Sequence, residues 1–251
     1  MVPDWDLSLV LAQFMKPPFV RGSPPSDKDI PLHLLLYKTC FLLALASGAR
    51  RSELHALVRT PPSYLITRDP LTGGRTMTLR AYPGFVAKNQ VPESIFQPFN
   101  IPSMAHLVPG EPERLLCPVR TTSLYVQRTS DPTFLQGRRR LLLHHNPKVQ
   151  DTRASHISQW IVDAVVTAYK HADEDTQRLL QVKAHEVRAL ASSVAFFNNA
   201  SLSEVMEGAR WRSRSTFIGH YLRDSHQVVD GLHRLAPVVV AQRIIRHEDT
   251  S

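Results

Sequence analysis

The chain has 251 residues, 43% of them hydrophobic, which is enough for one large core or two small ones. Its 30 Lys and Arg against 22 Asp and Glu give a formal net charge of +8, which favours polyanionic partners such as nucleic acid. Two cysteines argue against a disulfide framework, and the start MVPDWDL lacks the features of a signal peptide. We therefore expect an intracellular protein.

The N-terminal region predicts two helices. DWDLSLVLAQFM has the spacing of a short amphipathic helix. A long apolar helix is predicted from about Pro31 to Ala46, with Ser26 or Asp27 as its N-cap and Gly48 as its C-cap. Because this run is shorter than the ~20 residues that span a bilayer, we expect a buried helix.

The next region combines a short helix with a small sheet. SGARRSEL brings charge to the end of the apolar helix, and RSELHALV predicts a helical turn that ends at Pro61-Pro62. YLITRD and TMTLRAY, separated by the turn signal PLTGGR, predict a β-hairpin. GFVAKNQ and SIFQPFNIPS are typical of edge strands or of a loop around a small sheet.

Helical periodicity returns at Pro118. VRTTSLYVQRT, ASHISQWIVDAVVTAYKHA, AHEVRALASSVAFFNNA, SLSEVMEGA and STFIGHYLRD are predicted helices, and RRRLLLHHN is an extended stretch or a short strand. The adjacent His144 and His145 are expected to be ordinary loop histidines. Helices, then a small sheet, then more helices predict a mostly α, α+β fold.

Two short patterns could each contact a phosphate. In HEVR, His185 and Arg188 are three residues apart and share a helix face, so both can address one target. The hydroxyl of Tyr221 could attack a phosphodiester and form a phosphotyrosine, although a core-edge aromatic like Phe217 is the alternative. Neither pattern indicates a function by itself.

The order of these patterns resembles the tyrosine recombinase (phage integrase) family. SGARRSEL resembles its T-G-x-R-x-x-E-L motif, HEVRALASSVAF its H-x-x-R box, and GARWRSRSTFIGHYL its closing segment with the nucleophilic Tyr. VPDWDLSLVL, LLCPVRTTSLYV and ISQWIVDAVVTAY are similar to recombinases of DIRS-like retrotransposons, and the resemblance covers about Val2 to Asp224. The catalytic residues it implies are Arg50, Lys88, His185, Arg188, Trp211 and Tyr221.

The resemblance implies a DNA breaking and rejoining enzyme that works through a 3′-phosphotyrosine, and a catalytic-domain fold whose hairpin carries the catalytic Lys. Arg50 and Arg188 would hold the non-bridging oxygens of the scissile phosphate while Tyr221 attacks phosphorus. Lys88 would protonate the leaving 5′-oxygen, and His185 would serve in acid/base steps. No metal or nucleotide cofactor is implied.

Three further positions complete the implied site. Trp211 would donate its N–H to a non-bridging oxygen, where other family members use His. Arg51 competes with Arg50, but the spacing to Glu53 favours Arg50, which leaves Arg51 as a supporting residue, a DNA-backbone contact or a solvated charge. Glu53 is expected to be structural, by pairing with Arg50 or by capping the following turn.

The expected partner is double-stranded DNA, with self-assembly of dimers to tetramers on it, a nuclear location and no membrane. Residues 1–224 would form the catalytic domain, and 225–251 a tail that docks on a neighbouring protomer or on its own core. An N-terminal core-binding domain is expected to be absent, as in a polyprotein fragment or a truncated copy. Candidate phosphate contacts are Arg51, Arg138, Arg139, Arg140, Lys183, Arg210, Arg212 and Arg214.

Two other functions stay open. A domesticated or decayed element could supply a catalytically silent DNA-binding module, although all catalytic positions are filled. A type IB topoisomerase-like nicking enzyme would share the chemistry and differ in assembly, which the sequence does not show.

Overall fold

The computed structural model describes residues 5–71, 73–88, 96–104, 110–172 and 182–197, with backbone alone at 111–113 and 192–197. Within these ranges, eight helices and a three-stranded antiparallel sheet form an α+β fold that is mostly α, as predicted. The predicted helices beyond residue 200 and the tail 225–251 lie outside the described residues.

The described elements alternate between helical and sheet regions in the predicted order. The helices are α1 (Leu7–Gln13), α2 (Leu32–Ser47), α3 (Arg51–Ala56), α4 (Glu111–Leu116), α5 (Pro118–Arg128), α6 (Pro132–Leu135), α7 (Ala154–His171) and α8 (Ala184–Phe197). The strands are β1 (Tyr64–Arg68), β2 (Arg75–Leu79) and β3 (Phe99–Pro102).

Helix α2 is the centre of the core. It packs against α5, α7 and α8, and its side chains from Leu34 to Leu45 are buried apart from the half-buried Tyr37. A helix that is apolar on all sides suits a position surrounded by other elements. The prediction of a buried helix is therefore confirmed, and no helix among the described residues is long and apolar enough to cross a bilayer.

The predicted N-cap of α2 was wrong. The N-cap is Pro31, while Ser26 lies in an isolated β-bridge. Asp27 instead faces the fully buried ammonium of Lys38 at 3.4 Å. Desolvation lowers the pKa of Lys38 to about 8, against a smaller opposing effect of Asp27. Since a buried cation needs a counter-ion, Asp27 is used for charge pairing and not for capping.

The sheet has the order β1-β2-β3 with antiparallel pairing throughout, which confirms the predicted hairpin. β3 supplies the predicted edge strand and ends at Pro102, where a missing N–H is tolerated. Residues 84–88, the described part of GFVAKNQ, form no strand and lie on the connection between β2 and β3. Of the two predicted alternatives, the loop is therefore the one found there.

The end of α3 also differs from the prediction. The helix stops at Ala56 and not at Pro61-Pro62, because Leu57 and Val58 turn into extended backbone with buried side chains. They form isolated β-bridges to Ala81 and Arg140. The stretch RRRLLLHHN forms no strand. It contributes the bridge at Arg140, and its residues 141–143 are buried.

Candidate functional site

The turn between α2 and α3 sets the position of Arg50. Gly48 ends α2 in the left-handed region, with φ of 57°, and its amide donates to the carbonyl of Ala44. A side chain at this φ would be strained, so glycine suits the position. Two residues after Gly48, Arg50 adopts extended backbone and is the N-cap of α3.

Glu53 fixes both the backbone and the side chain of Arg50. Its carboxylate is fully buried, and Oε2 accepts a hydrogen bond of 2.7 Å from the amide of Arg50. Oε1 accepts a second bond of 2.9 Å from Nη1 of the same residue. The expectation that Glu53 would be structural is confirmed, because it both caps α3 and pairs with Arg50.

Arg188 enters the same cluster from α8. Its Nη1 donates to the carbonyl of Gly48 and lies 3.8 Å from Oε2 of Glu53. The Gly48 carbonyl is at the C-terminal end of α2, where helix carbonyls carry partial negative charge. This carbonyl and the Glu53 carboxylate together compensate a guanidinium whose side chain is only 5% exposed.

The cluster of Arg50, Glu53 and Arg188 carries a net positive charge. Two guanidinium groups against one carboxylate leave +1. The Arg50 side chain is 20% exposed, whereas those of Glu53 and Arg188 are almost completely buried. An anion that approaches this cluster therefore meets Arg50, with the charge of Arg188 behind it, at a place where low dielectric strengthens the attraction.

The first turn of α8 is held by Glu186 and Trp5, which the sequence analysis did not single out. Glu186 accepts the amide of Lys183 at 3.2 Å and the indole N–H of the buried Trp5 at 3.0 Å. Asp6 donates its amide to the hydroxyl of Tyr169 at 2.6 Å. The N-terminal segment is thereby bonded to both α7 and α8. Because Lys183 stands where a capping box has Ser or Thr, the sequence pattern does not predict this helix cap.

The structure places His185 and Lys88 at exposed positions. His185 lies on α8 one turn before Arg188, as the spacing predicted. Lys88 lies on the connection between β2 and β3. Trp211 and Tyr221 lie outside the described residues, as do Arg210, Arg212 and Arg214.

The candidate DNA contacts differ in how they are held. Arg51, Arg139 and Lys183 are exposed, and Arg51 reaches Ser158 Oγ at 3.5 Å. Arg138 donates to the carbonyls of three residues within the protein, so its guanidinium is engaged. These acceptors are Phe134, Leu135 and Val149.

The two adjacent histidines are part of a larger ring cluster. His144 and His145 stack at 4.5 Å between centroids, with His33 5.9 Å from His145 and His156 5.5 Å from His144. Burial lowers the pKa of both His144 and His145. Across the described ranges, no group of three or more His, Cys, Asp and Glu side chains is arranged to hold a metal ion.

Comparison of the chain with protein-family models, with curated proteins and with solved structures found no match.

Proposed function

We propose that the chain cleaves and rejoins DNA as a tyrosine recombinase, through a 3′-phosphotyrosine intermediate, in the integration of a DIRS-like mobile element. One observation carries the proposal. Arg50 and Arg188, which the motifs assign to one phosphate, share the buried carboxylate of Glu53 although Arg50 precedes α3 and Arg188 lies on α8. Two arginines are the side chains best suited to hold the two non-bridging oxygens of a phosphodiester.

The proposed reaction exchanges one phosphodiester for another. The Tyr221 oxygen bonds to phosphorus as its proton passes to His185, and the bond from phosphorus to the 5′-oxygen breaks. Lys88 gives a proton to that oxygen, which leaves as a 5′-hydroxyl. In the second half, a 5′-hydroxyl attacks the phosphotyrosine and the tyrosine is released. Because the bond energy is kept in the protein–DNA link, rejoining needs no nucleotide.

The contribution of the Arg50–Glu53–Arg188 cluster is to stabilise the charge that builds up on the oxygens during attack. Glu53 fixes Arg50 through its amide and its guanidinium, so little reorganisation is needed when the phosphate arrives. In related chemistry, one such preorganised donor contributes about 10²–10³ in rate. Arg188, held by Gly48 and Glu53, adds a second fixed charge.

The test uses the full chain and a pool of nicked DNA duplexes of randomised sequence. The nick lets a short strand diffuse away after cleavage, so the covalent complex accumulates and appears as a shifted band on a denaturing gel. We expect the adduct with the wild-type chain and with Tyr64→Phe, which loses only a 3.3 Å contact with Ser123. We expect no adduct with Tyr221→Phe.

Each remaining outcome points to a different function. Salt-sensitive binding of the same duplexes without any adduct would replace the enzyme proposal by a silent DNA-binding module. An adduct accompanied by relaxation of supercoiled DNA, without strand exchange between two duplexes, would favour the type IB topoisomerase-like enzyme.

A further inference from the structure

The C-terminal end of α3 is joined to the loop that carries Lys88. Residues 57–59 leave the helix as extended backbone, and β-bridges connect Leu57 to Ala81 and Val58 to Arg140. The segment thus lies between two other stretches of chain, one entering the Lys88 loop and one in the basic stretch after α6. Arg50 lies at the N-terminal end of α3, and this extended segment begins at the C-terminal end of the same helix.

Arg140 and Tyr82 make a specific contact at this junction. The guanidinium of Arg140 lies 4.3 Å from the centroid of the Tyr82 ring, within the range of a cation–π interaction. Its Nη1 is 3.4 Å from the carbonyl of Ala56, which also accepts the amide of Tyr82 at 3.0 Å. Ala56 is the last residue of α3, so the cation also faces the negative end of the helix.

The contact continues into the loop through aromatic side chains. The amide of Phe85 donates to the carbonyl of Tyr82 at 3.1 Å, and the two rings are 5.7 Å apart. Phe85 contacts Phe96 at 5.1 Å, which contacts Phe99 of β3 at 5.7 Å. The start of the loop is therefore fastened both to α3 and to the sheet, just before Lys88.

We propose that Arg140 and Tyr82 are positioning residues that hold the Lys88 loop in register with the Arg50–Glu53–Arg188 cluster. This inference rests on the proposed function, in which Lys88 protonates the leaving oxygen. A helix of six residues is about 9 Å long, so the Ala56 anchor lies close to Arg50. Six residues of chain from Tyr82 to Lys88 span at most about 20 Å. Fixing Tyr82 on α3 therefore restricts where the ammonium can reach.

The contact between Arg140 and Tyr82 lies outside the core, so its loss should affect the Lys88 loop more than the core. Arg140 is half-buried and Tyr82 is 37% exposed, so neither side chain fills the core. A phosphate contact with DNA is the competing role for Arg140. Its neighbour Arg139 has the same charge and is exposed, so it serves as the comparison for that role. The two roles differ in a measurable way, since a DNA contact aids binding and a positioning residue aids proton transfer.

The experiment compares two leaving groups in the full chain. One nicked duplex has an ordinary phosphodiester at the cleavage site, and the other has sulfur in place of the bridging 5′-oxygen. A thiolate leaves without being protonated, so the general acid becomes unnecessary. We expect Arg140→Gln and Tyr82→Leu to slow adduct formation about tenfold or more on the ordinary bond and less than about twofold on the sulfur bond.

Three variants calibrate the comparison. Lys88→Ala should show the same rescue by sulfur, with a larger loss of about 10²–10⁴ on the ordinary bond. Tyr82→Phe keeps the ring face and should behave like the wild-type chain. Arg139→Gln should lose the same factor on both substrates, as expected for a phosphate contact. An equal loss on both substrates for Arg140→Gln would overturn the positioning role.

A second readout is independent of cleavage. Hydrogen exchange of the Phe85 and Tyr82 amides should be at least about fivefold faster in Arg140→Gln than in the wild-type chain, with exchange in α2 and α7 unchanged. Unchanged exchange at both amides would overturn the inference even if cleavage is confirmed. If the wild-type chain forms no adduct on either substrate, the proposed function fails, and the exchange result still decides whether Arg140 holds the loop.

Discussion

The buried carboxylate of Glu53 lies 3.8 Å from the guanidinium of Arg188, although about half of the chain separates α3 from α8. The same carboxylate binds Arg50 through both the amide and the side chain. One acidic residue thereby sets the distance between two cations that would otherwise repel each other. The geometry of the proposed phosphate site depends on this residue.

Glu53→Gln keeps the shape of the side chain and removes the charge that Arg50 and Arg188 share. Because Arg188 is then buried without its ionic partner, we expect the free energy of unfolding to fall by about 3 kcal/mol in urea titrations. Adding Arg188→Met should recover part of this stability and none of the cleavage. A loss below about 1 kcal/mol for Glu53→Gln would show that the carboxylate does not hold the cluster.

Arg50 and Arg51 form a matched pair for separating the phosphate clamp from its neighbour. We expect Arg50→Gln to slow adduct formation by about 10²–10³, because it removes a preorganised donor. Arg51→Gln should weaken DNA binding less than tenfold and reduce the slope of log affinity against log salt by about 1. Rates from gel assays and affinities at three salt concentrations check both. A larger loss of rate for Arg51→Gln would reverse the assignment.

Trp5→Phe tests whether the N-terminal segment supports the first turn of α8. The variant keeps an aromatic ring against Phe41 and removes the donor to Glu186. We expect a loss of about 2 kcal/mol in the free energy of unfolding, as for a hydrogen bond to a charged group, and faster hydrogen exchange at 184–188. Tyr169→Phe is the control, because it removes the hydroxyl that accepts the Asp6 amide and leaves the donor from Trp5 to Glu186 in place. Equal exchange in both variants would contradict this support.

The histidine cluster predicts a loss of stability in mild acid. Burial holds the pKa of His144 and His145 below the ordinary 6.5, so the unfolded chain takes up protons first as the pH falls. The two histidines should therefore make the free energy of unfolding decrease as the pH falls below about 6.5. Repulsion from His156 and Arg138 also lowers the pKa of His144. Repulsion from His33 lowers the pKa of His145, against a smaller opposing effect of Asp163.

The measurement for this prediction is the unfolding midpoint between pH 7.5 and 5.5. The wild-type midpoint should fall over this interval, and the double variant His144→Gln, His145→Gln should fall less. A wild-type midpoint that is constant or rises on acidification, with the variant behaving identically, would contradict the sign worked out from the two pKa values.

Long elements with a clear sequence signal could be predicted. α2 is a continuous apolar run of 16 residues, α7 is an amphipathic helix of 18 residues, and PLTGGR marks the hairpin turn. α4 and α6 have six and four residues, and so little helix leaves no period to detect. The N-cap of α2 could not be predicted, because a distant need of Lys38 for a counter-ion decides the role of Asp27.

The candidate site shows the same division. The motifs named Arg50 and Arg188, and the spacing from Arg50 to Glu53 predicted their pairing. The contact from Glu53 to Arg188 depends on how α8 packs against α2, which no local pattern encodes. Arg140 was predicted to contact DNA from its residue type alone, and only the tertiary structure places it on Tyr82 and the end of α3.

The most direct test of the central claim is to identify the residue that carries the DNA. The adduct from the nicked duplex is digested with a protease and a nuclease, and the modified peptide is sequenced by mass spectrometry. We expect a nucleotide linked through its 3′-phosphate to Tyr221. Attachment to another residue, such as the adjacent His220, or linkage through a 5′-phosphate would contradict it.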